Sequence, residues 1–143
     1  MNNQKVYYKV VDGMCSTFAG YRYQKMYELN IPITGYNNRP VFIFDSIENA
    51  RKYSICHRRI FKCIATKVRK PYTLVSNYTH AIDTYWEIVD KAKKSKKNIN
   101  KALSNYNDKL VRLQSYGSFH KTIEGTLFAD SVTLLEEVKK ETI

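Results

Sequence analysis

The chain has 143 residues, 43% of them hydrophobic, and carries a formal net charge of +11 at neutral pH. This length predicts one domain whose core is large enough to fold without disulfides or a structural metal. No apolar run approaches the ~20 residues that cross a bilayer, and residues 2–5 are polar, so the apolar region of a signal peptide is not expected there. We therefore expect no membrane partner and a cytoplasmic location.

The positive charge is concentrated in two stretches. Residues 50–82 contain eight Lys or Arg and no acid, and residues 91–107 contain six Lys and no acid. Together with 12 Tyr and 6 Phe, this charge favours an anionic, aromatic partner, either a nucleotide or a nucleic acid. A basic surface that only aids solubility is the alternative, and composition does not separate the two.

The three cysteines, Cys15, Cys56 and Cys63, form an odd and sparse set, which is typical of a reducing compartment. Cys56, His57 and Cys63 lie close in sequence, but no second ligand pair accompanies them, and structural zinc needs four converging ligands. The sequence therefore predicts buried thiols, and neither a metal nor a cofactor.

The first part of the chain is typical of a meander of strands. Residues 6–11 are β-branched and aromatic and end at an Asp-Gly turn signal, so residues 14–18 are predicted to return as a second strand. Residues 26–29 are predicted to form a further short strand, residues 31–40 a surface loop rich in Pro, Gly and Asn, and residues 41–44 a buried strand.

A short helix follows. Ser46 is placed to cap a helix that runs to about His57. Residues 60–69 then alternate between apolar and polar side chains well enough for a β-strand, with Lys62, Lys67 and Arg69 near its solvent-exposed face. Residues 73–78 are predicted to add one more strand.

The most regular pattern lies between residues 82 and 113, where neither Pro nor Gly interrupts the chain. Apolar side chains recur in steps of three and four, as in a heptad seam, and only Lys96 is out of pattern. One continuous helix would be ~48 Å long. A break near residues 94–98, with Asn98 as a new N-cap, is the alternative. The seam residues are Ile82, Tyr85, Val89, Ala92, Ile99, Leu103, Tyr106, Leu110 and Leu113.

Gly117 is placed to end the helix as a C′ glycine. A loop at residues 118–124 and a closing strand or strand pair at residues 125–138 follow, although residues 130–135 also fit a helix. The fold class is α+β: an antiparallel β-sheet with one short helix and a long C-terminal helix or helix pair. Within a single domain, residues 1–78 are mainly sheet, 79–116 helical, and 117–143 a closing strand segment.

The sequence contains no phosphate-loop, nucleophile-elbow, zinc-protease or paired-carboxylate motif. The three histidines have no convincing acidic or nucleophilic neighbours in sequence. We therefore predict that the protein is not an enzyme and has no catalytic residues.

Two clusters have the chemistry of a nucleotide site. The first surrounds Gly20 and offers a hydroxyl at Ser16, a ring at Phe18, a guanidinium at Arg22 and a second ring at Tyr23. Aromatic faces stack on bases and Arg grips phosphate in a bidentate manner. A tyrosine-rich turn whose rings pack on the sheet is the alternative.

The second cluster lies at the exit of the helix. Lys109, Arg112 and Tyr116 are three and four residues apart, so they are predicted to share one helical face. They would supply cations and a further ring to a pocket. The alternative is that the cations only complement the negative end of the helix dipole.

Four stretches give the chain a family resemblance. Residues 8–11, 16–23, 44–50 and 125–132 read YKVV, STFAGYRY, FDSIENA and GTLFADSV. They resemble the first Tad type of phage anti-Thoeris protein. That resemblance implies a homo-oligomer that sequesters cyclic ADP-ribose isomers made by bacterial immune sensors, and in some members cyclic oligonucleotides, without degrading them, in pockets between subunits. Our site residues rest on side-chain chemistry, since the family's ligand contacts are not matched position by position.

The favoured function is thus a non-enzymatic, phage-encoded sponge for cyclic nucleotide signals in the host bacterial cytoplasm. One alternative is an enzyme resembling ADP-ribosyltransferases, because Ser16 and Thr17 follow a strand, although no Glu-x-Glu pair is present. The other is a basic accessory protein that binds DNA or RNA, for which no recognised motif exists.

Overall fold

The computed structural model describes residues 4–12, 15–16, 26–35, 39–53, 58–76 and 81–139. These residues form two compact units. The first contains the described residues up to 71 together with residues 123–139, and the second contains residues 72–76 and 81–122. The expectation of a single domain stays a prediction.

The helices and strands have the following bounds. The strands are β1 (Tyr7–Asp12), β2 (Cys15–Ser16), β3 (Ile33–Thr34), β4 (Val41–Phe44), β5 (Arg58–Thr66), β6 (Leu74–Val75), β7 (His120–Lys121), β8 (Thr126–Ala129) and β9 (Ser131–Glu137). The helices are α1 (Ile47–Tyr53), α2 (Ile82–Lys94) and α3 (Ile99–Arg112).

The first unit is an antiparallel sheet with the strand order β3-β9-β5-β1-β4-β8, and β2 pairs with β1. The sheet curls, because Arg69, just beyond β5, pairs with Phe128 on β8 at the far end of that order. The predicted mixture of an antiparallel sheet with helices is confirmed. Both faces of β4 are covered, since all four of its residues are buried.

One face of this sheet carries the main apolar core. It consists of Val11, Tyr27, Val41, Ile43, Phe61, Cys63, Ala129, Val132 and Leu134. On the other face, α1 packs beside β4, with the ring centroids of Phe44 and Tyr53 5.5 Å apart. As predicted, Ser46 caps this helix, because its Oγ accepts the backbone N–H of Asn49. The end of α1 predicted near His57 lies outside the described residues.

Two local predictions were wrong. Residues 26–29 are not a strand, and the predicted loop after them contains β3, which pairs with β9. The predicted closing strand pair is confirmed, since β8 and β9 lie within residues 125–138 and the helical alternative for residues 130–135 does not form. Pairing with a neighbouring strand decided the outcome for β3 and β9, because β-propensity expresses the fit to a partner more than a preference of the segment itself.

The junction between β4 and β8 depends on a glycine. The N–H of Asp45 donates to the carbonyl oxygen of Gly125, and Gly125 has a φ of +84°. A Cβ atom there would lie 2.3 Å from Nδ2 of Asn49. Glycine is therefore required both for the backbone conformation and for the close approach of α1.

In the second unit, the predicted seam divides into two helices that form a hairpin. A single continuous helix is not what the structure shows, since α2 ends at Lys94 and α3 begins at Ile99. The side chain of Asn98 accepts the N–H of Lys101 at 3.0 Å, which is the N-cap that the alternative prediction required. The four linking residues let α3 fold back on α2.

Both helices end in the same hydrogen-bonded arrangement. After α2, the backbone N–H of Lys96 donates to the carbonyl oxygen of Lys93, and the backbone N–H of Lys97 donates to that of Ala92. This is a Schellman motif, and its left-handed position is occupied by Lys96, with a φ of +53°. The one residue out of phase in the heptad pattern is therefore the residue at which the chain reverses.

The end of α3 repeats this arrangement with Gln114, which has a φ of +52°. The backbone N–H of Gln114 donates to the carbonyl oxygen of Val111, and the backbone N–H of Ser115 donates to that of Leu110. The prediction that Gly117 is the C′ residue was therefore wrong, since the helix ends earlier. The loop that was predicted at residues 118–124 contains β7, which pairs with β6 in an antiparallel arrangement.

Aromatic packing holds the second unit together. Tyr85 is fully buried, its hydroxyl donates to the carbonyl oxygen of Leu74, and its ring meets Trp86 and Phe119 edge-on at 5.1 and 5.0 Å. Leu103 is the buried residue of α3. The seam residues of α2 are thus buried within a single chain, without a second subunit.

We expect Lys96→Gly to raise the free energy of unfolding by roughly 0.5–1 kcal/mol. A side chain in the left-handed region costs ~1–2 kcal/mol, and the extra freedom of glycine in the unfolded chain offsets part of that gain. Urea denaturation followed by circular dichroism measures the change. Lys93→Gly is the matched control, because glycine inside a helix should destabilise by ~1 kcal/mol.

Candidate functional site

A basic groove lies on the helical hairpin of the second unit. Its volume is about 760 Å³, and its floor includes the apolar side chains of Ile88 and Ala102. Four cationic residues line it: Lys97, Lys101, Lys109 and Arg112. The described residues that line it include no acid, so the groove favours an anion.

These four cations differ from the cations of the sheet. On the sheet, Lys62 pairs with Glu136 at 3.0 Å and Arg69 with Asp130 at 2.8 Å. No groove cation forms an ion pair within the described ranges. Arg112 donates through Nε to the carbonyl of Asp108, at 3.3 Å. This contact suits the helix-dipole alternative, but it engages only one of the guanidinium nitrogens.

An aromatic hollow adjoins the basic groove. It has a volume of about 440 Å³ and is lined by Tyr106, Tyr116, Gly117 and Phe119, among others. Tyr106 lines both the hollow and the groove, and its ring stacks on Phe119 with centroids 5.9 Å apart. The backbone N–H of Phe119 is in turn held by the side chain of Asn107. Tyr106 is therefore a supported ring beside a row of cations.

The predicted cluster at the helix exit is divided between these two depressions. Lys109 and Arg112 lie in the basic groove, as part of the last turn of α3. Tyr116 lines the aromatic hollow and is 90% exposed. The prediction that all three share one helical face was wrong for Tyr116, because α3 ends at Arg112.

Of the predicted cluster around Gly20, only Ser16 lies within the described residues. Ser16 belongs to β2, where its backbone pairs with Val11. Phe18, Arg22 and Tyr23 lie outside the described residues. Their proposed meeting with Lys109, Arg112 and Tyr116 stays a prediction.

The sequence reasoning missed several residues of the groove. Lys97, Lys101 and Asn105 were not singled out, and Tyr106 was assigned to the seam although it is only half-buried and lines the groove. The signal was present in the spacing, since Lys97, Lys101, Asn105 and Lys109 follow one another in steps of four. Such a row marks one face of a helix.

A buried lysine in the first unit was also missed. Lys9 is 1% exposed, its Nζ donates to the carbonyl of Phe42 at 2.7 Å, and its Nζ lies 5.7 Å from the ring centroid of Tyr27. Burial lowers its pKa from 10.5 to about 8, against a smaller opposing effect of Cys63. Burial also raises the pKa of the Cys63 thiol to about 12. Both groups are enclosed in the core, where no substrate reaches them.

The other reactive side chains singled out by the sequence are only partly described. Cys63 is a free, buried thiol, and His120 is exposed on β7; Cys56 and His57 lie outside the described residues. Among the residues with described positions, no three His, Cys, Asp or Glu side chains are grouped to hold a metal ion. No described helix combines the length and apolarity needed to cross a membrane.

Comparisons with protein-family models, curated proteins and solved structures found no match to this chain.

Proposed function

We propose that the protein is a non-enzymatic viral anti-defence protein that sequesters cyclic ADP-ribose-type immune signals in the host bacterial cytoplasm. One observation carries the proposal: four cations without ion-pair partners among the described residues converge on a groove that also contains an aromatic ring. Phosphate and base are the two chemical features by which proteins bind nucleotides. The volume of the groove lies within the usual range for sites that enclose small ligands.

Each part of the ligand has a counterpart in the groove. Lys109 and Arg112 are one turn apart and would hold the diphosphate. The ring of Tyr106 would lie against the adenine, and the side-chain amide of Asn105 offers donors and an acceptor to ribose hydroxyls. These contacts favour binding of an intact ligand. The described lining contains no carboxylate, thiol or imidazole that could act as a general base there.

Assembly into a homo-oligomer belongs to the proposal. Leu113 and Tyr116 are 73% and 90% exposed, and Val111 is also exposed, so an apolar patch lies at the end of α3 beside the hollow. Association of subunits through this patch would bring a second chain to the edge of the site. Cyclic oligonucleotides are a further ligand class for the same pocket, and nucleic acid remains the less favoured partner.

The test begins with calorimetry of cyclic ADP-ribose isomers on the wild type and on Arg112→Gln. We expect at least tenfold weaker binding by the variant, because loss of a charge-assisted phosphate contact removes ~1.5–3 kcal/mol. Lys91→Gln is the matched control. It removes an exposed cation of α2 that does not line the groove, and it should bind as the wild type does.

The same samples separate a sponge from an enzyme. After heat denaturation, chromatography should return the nucleotide intact and in the amount that was bound. A new nucleotide product that requires the protein would instead support the transferase alternative. Wild-type affinity in Arg112→Gln would remove the groove from the proposal.

A further inference from the structure

The cations of the basic groove form two pairs at opposite ends of α3. Lys97 and Lys101 lie around the first turn, and Lys109 and Arg112 belong to the last turn. Lys101 and Lys109 are eight residues apart in one helix, so their backbones are separated by ~12 Å. The groove is therefore longer than a single cluster of charges.

Uncharged groups occupy the space between the two pairs. Asn105 lies one helical turn from Lys101 and one from Lys109, on the same face. Tyr106 is next to it, with its ring supported by Phe119. The order along the groove is thus cations, an amide with a ring, and cations again.

A single diphosphate would use only one of the two cation pairs. Its two phosphates share one bridging oxygen and so occupy one end of the groove, which leaves the other pair of cations without a counterion. In a nucleic-acid strand, by contrast, a whole nucleoside separates successive phosphates. A phosphate then reaches each end while a base lies against the ring between them.

We propose that Lys97 and Lys101 form a second anion subsite, and that the groove accepts a linear oligonucleotide of two or three nucleotides. Phosphates would lie at both ends of α3 and a base on Tyr106. This inference rests on the proposed function, because it adds a subsite to the same groove. It extends the ligand class from a compact diphosphate to a short single strand.

The test compares two probes on one double variant. The probes are cyclic ADP-ribose and a 5′-phosphorylated linear triadenylate, and the variant is Lys97→Gln with Lys101→Gln. We expect its affinity for the triadenylate to fall at least tenfold, while that for cyclic ADP-ribose stays within about twofold of wild type. The control, Lys91→Gln with Lys93→Gln, makes the same charge change on α2 outside the groove and should leave both affinities unchanged.

Salt gives an independent measure of the second subsite. Each phosphate contact with a single strand contributes ~0.7 to the slope of log affinity against log salt concentration. The double variant should therefore show a shallower slope than the wild type for the triadenylate. The slope for cyclic ADP-ribose should not change.

Three results would overturn the inference. They are equal losses for both probes, no loss for either, and a wild type that binds cyclic ADP-ribose but not the triadenylate. The proposed function fails separately: a wild type that binds the triadenylate through Lys97 and Lys101 but never binds cyclic ADP-ribose would keep the second subsite and refute the sponge.

Discussion

Replacing Leu103 with alanine is expected to lower the free energy of unfolding by roughly 2–5 kcal/mol. Leu103 is fully buried and is the buried residue of α3. Deleting its isobutyl group removes apolar contact and leaves a cavity that the surrounding residues fill only in part. Urea or guanidinium denaturation followed by circular dichroism measures the loss.

The matched control is Leu113→Ala, ten residues further along the same predicted seam. Leu113 is 73% exposed, so the same chemical change should alter the free energy of unfolding of a single subunit by less than ~0.5 kcal/mol, which is measured at a protein concentration low enough to dissociate any oligomer. Sedimentation at micromolar concentration completes the comparison. At least a dimer is expected for the wild type, and Leu113→Ala should weaken that assembly if the patch joins subunits. Similar losses of stability at both positions would contradict the burial difference.

The second large effect concerns the buried Lys9. Its folded pKa of about 8 lies below the ordinary value of 10.5, which corresponds to a penalty of about 3 kcal/mol on the charged form at neutral pH. Above pH 8 the folded protein gives up this proton while the unfolded chain keeps it until about pH 10.5. Stability should therefore rise with pH in this window, by up to ~1.4 kcal/mol per pH unit.

Lys9→Met removes the pH-dependent part of the stability that comes from titration of Lys9. The difference between the wild type and this variant therefore measures that part alone. Between pH 7.5 and pH 9, the wild type should gain about 1 kcal/mol in free energy of unfolding relative to the variant. Higher pH is avoided because the raised pKa of Cys63 acts in the opposite direction once an unfolded thiol ionises, near pH 9. Chemical denaturation at several pH values measures the slope.

Lys62→Met is the control for this experiment, since Lys62 belongs to the neighbouring strand and its side chain is 43% exposed. The pH dependence of that variant should follow the wild type. A Lys9→Met protein with the wild-type slope would show that the lysine is not the titrating group. At neutral pH, Lys9→Met gains stability because it no longer buries a charged group. It also loses the hydrogen bond to the Phe42 carbonyl, which offsets part of that gain in stability.

The stretches that resemble the anti-Thoeris family have a structural role in this chain. Tyr8 pairs with Phe44, and Phe44 pairs with Thr126, so three of the four stretches meet at adjacent strands. Gly125 then closes the turn against Asn49. The described parts of these stretches build the sheet, whereas the basic groove lies in the lysine-rich region outside them. The groove, and not these stretches, therefore carries the proposal.

Sequence patterns predicted most of the elements and part of the site. Val41–Phe44 is buried on both faces, as its unbroken apolar run indicates, and Ser46 and Asn98 cap helices as their side chains allow. Lys109 and Arg112 were recognised from their charge and spacing. Lys9 was missed because a lysine within a strand normally points to water, and only the pairing of β1 with its neighbours encloses it.

The amino-acid sequence by itself determined the apolar periodicity between residues 82 and 113, the helix caps and the excess of positive charge, because these depend on local spacing and composition. It did not determine whether the seam runs straight or reverses, since both forms keep the same face apolar. Tertiary packing decided that: reversal at Lys96 buries Leu103 within the unit and leaves Leu113 exposed. The row of groove cations on α3 follows from helical spacing alone. Tertiary packing added Ile88 of α2 to the lining of the groove and placed Phe119 against the ring of Tyr106.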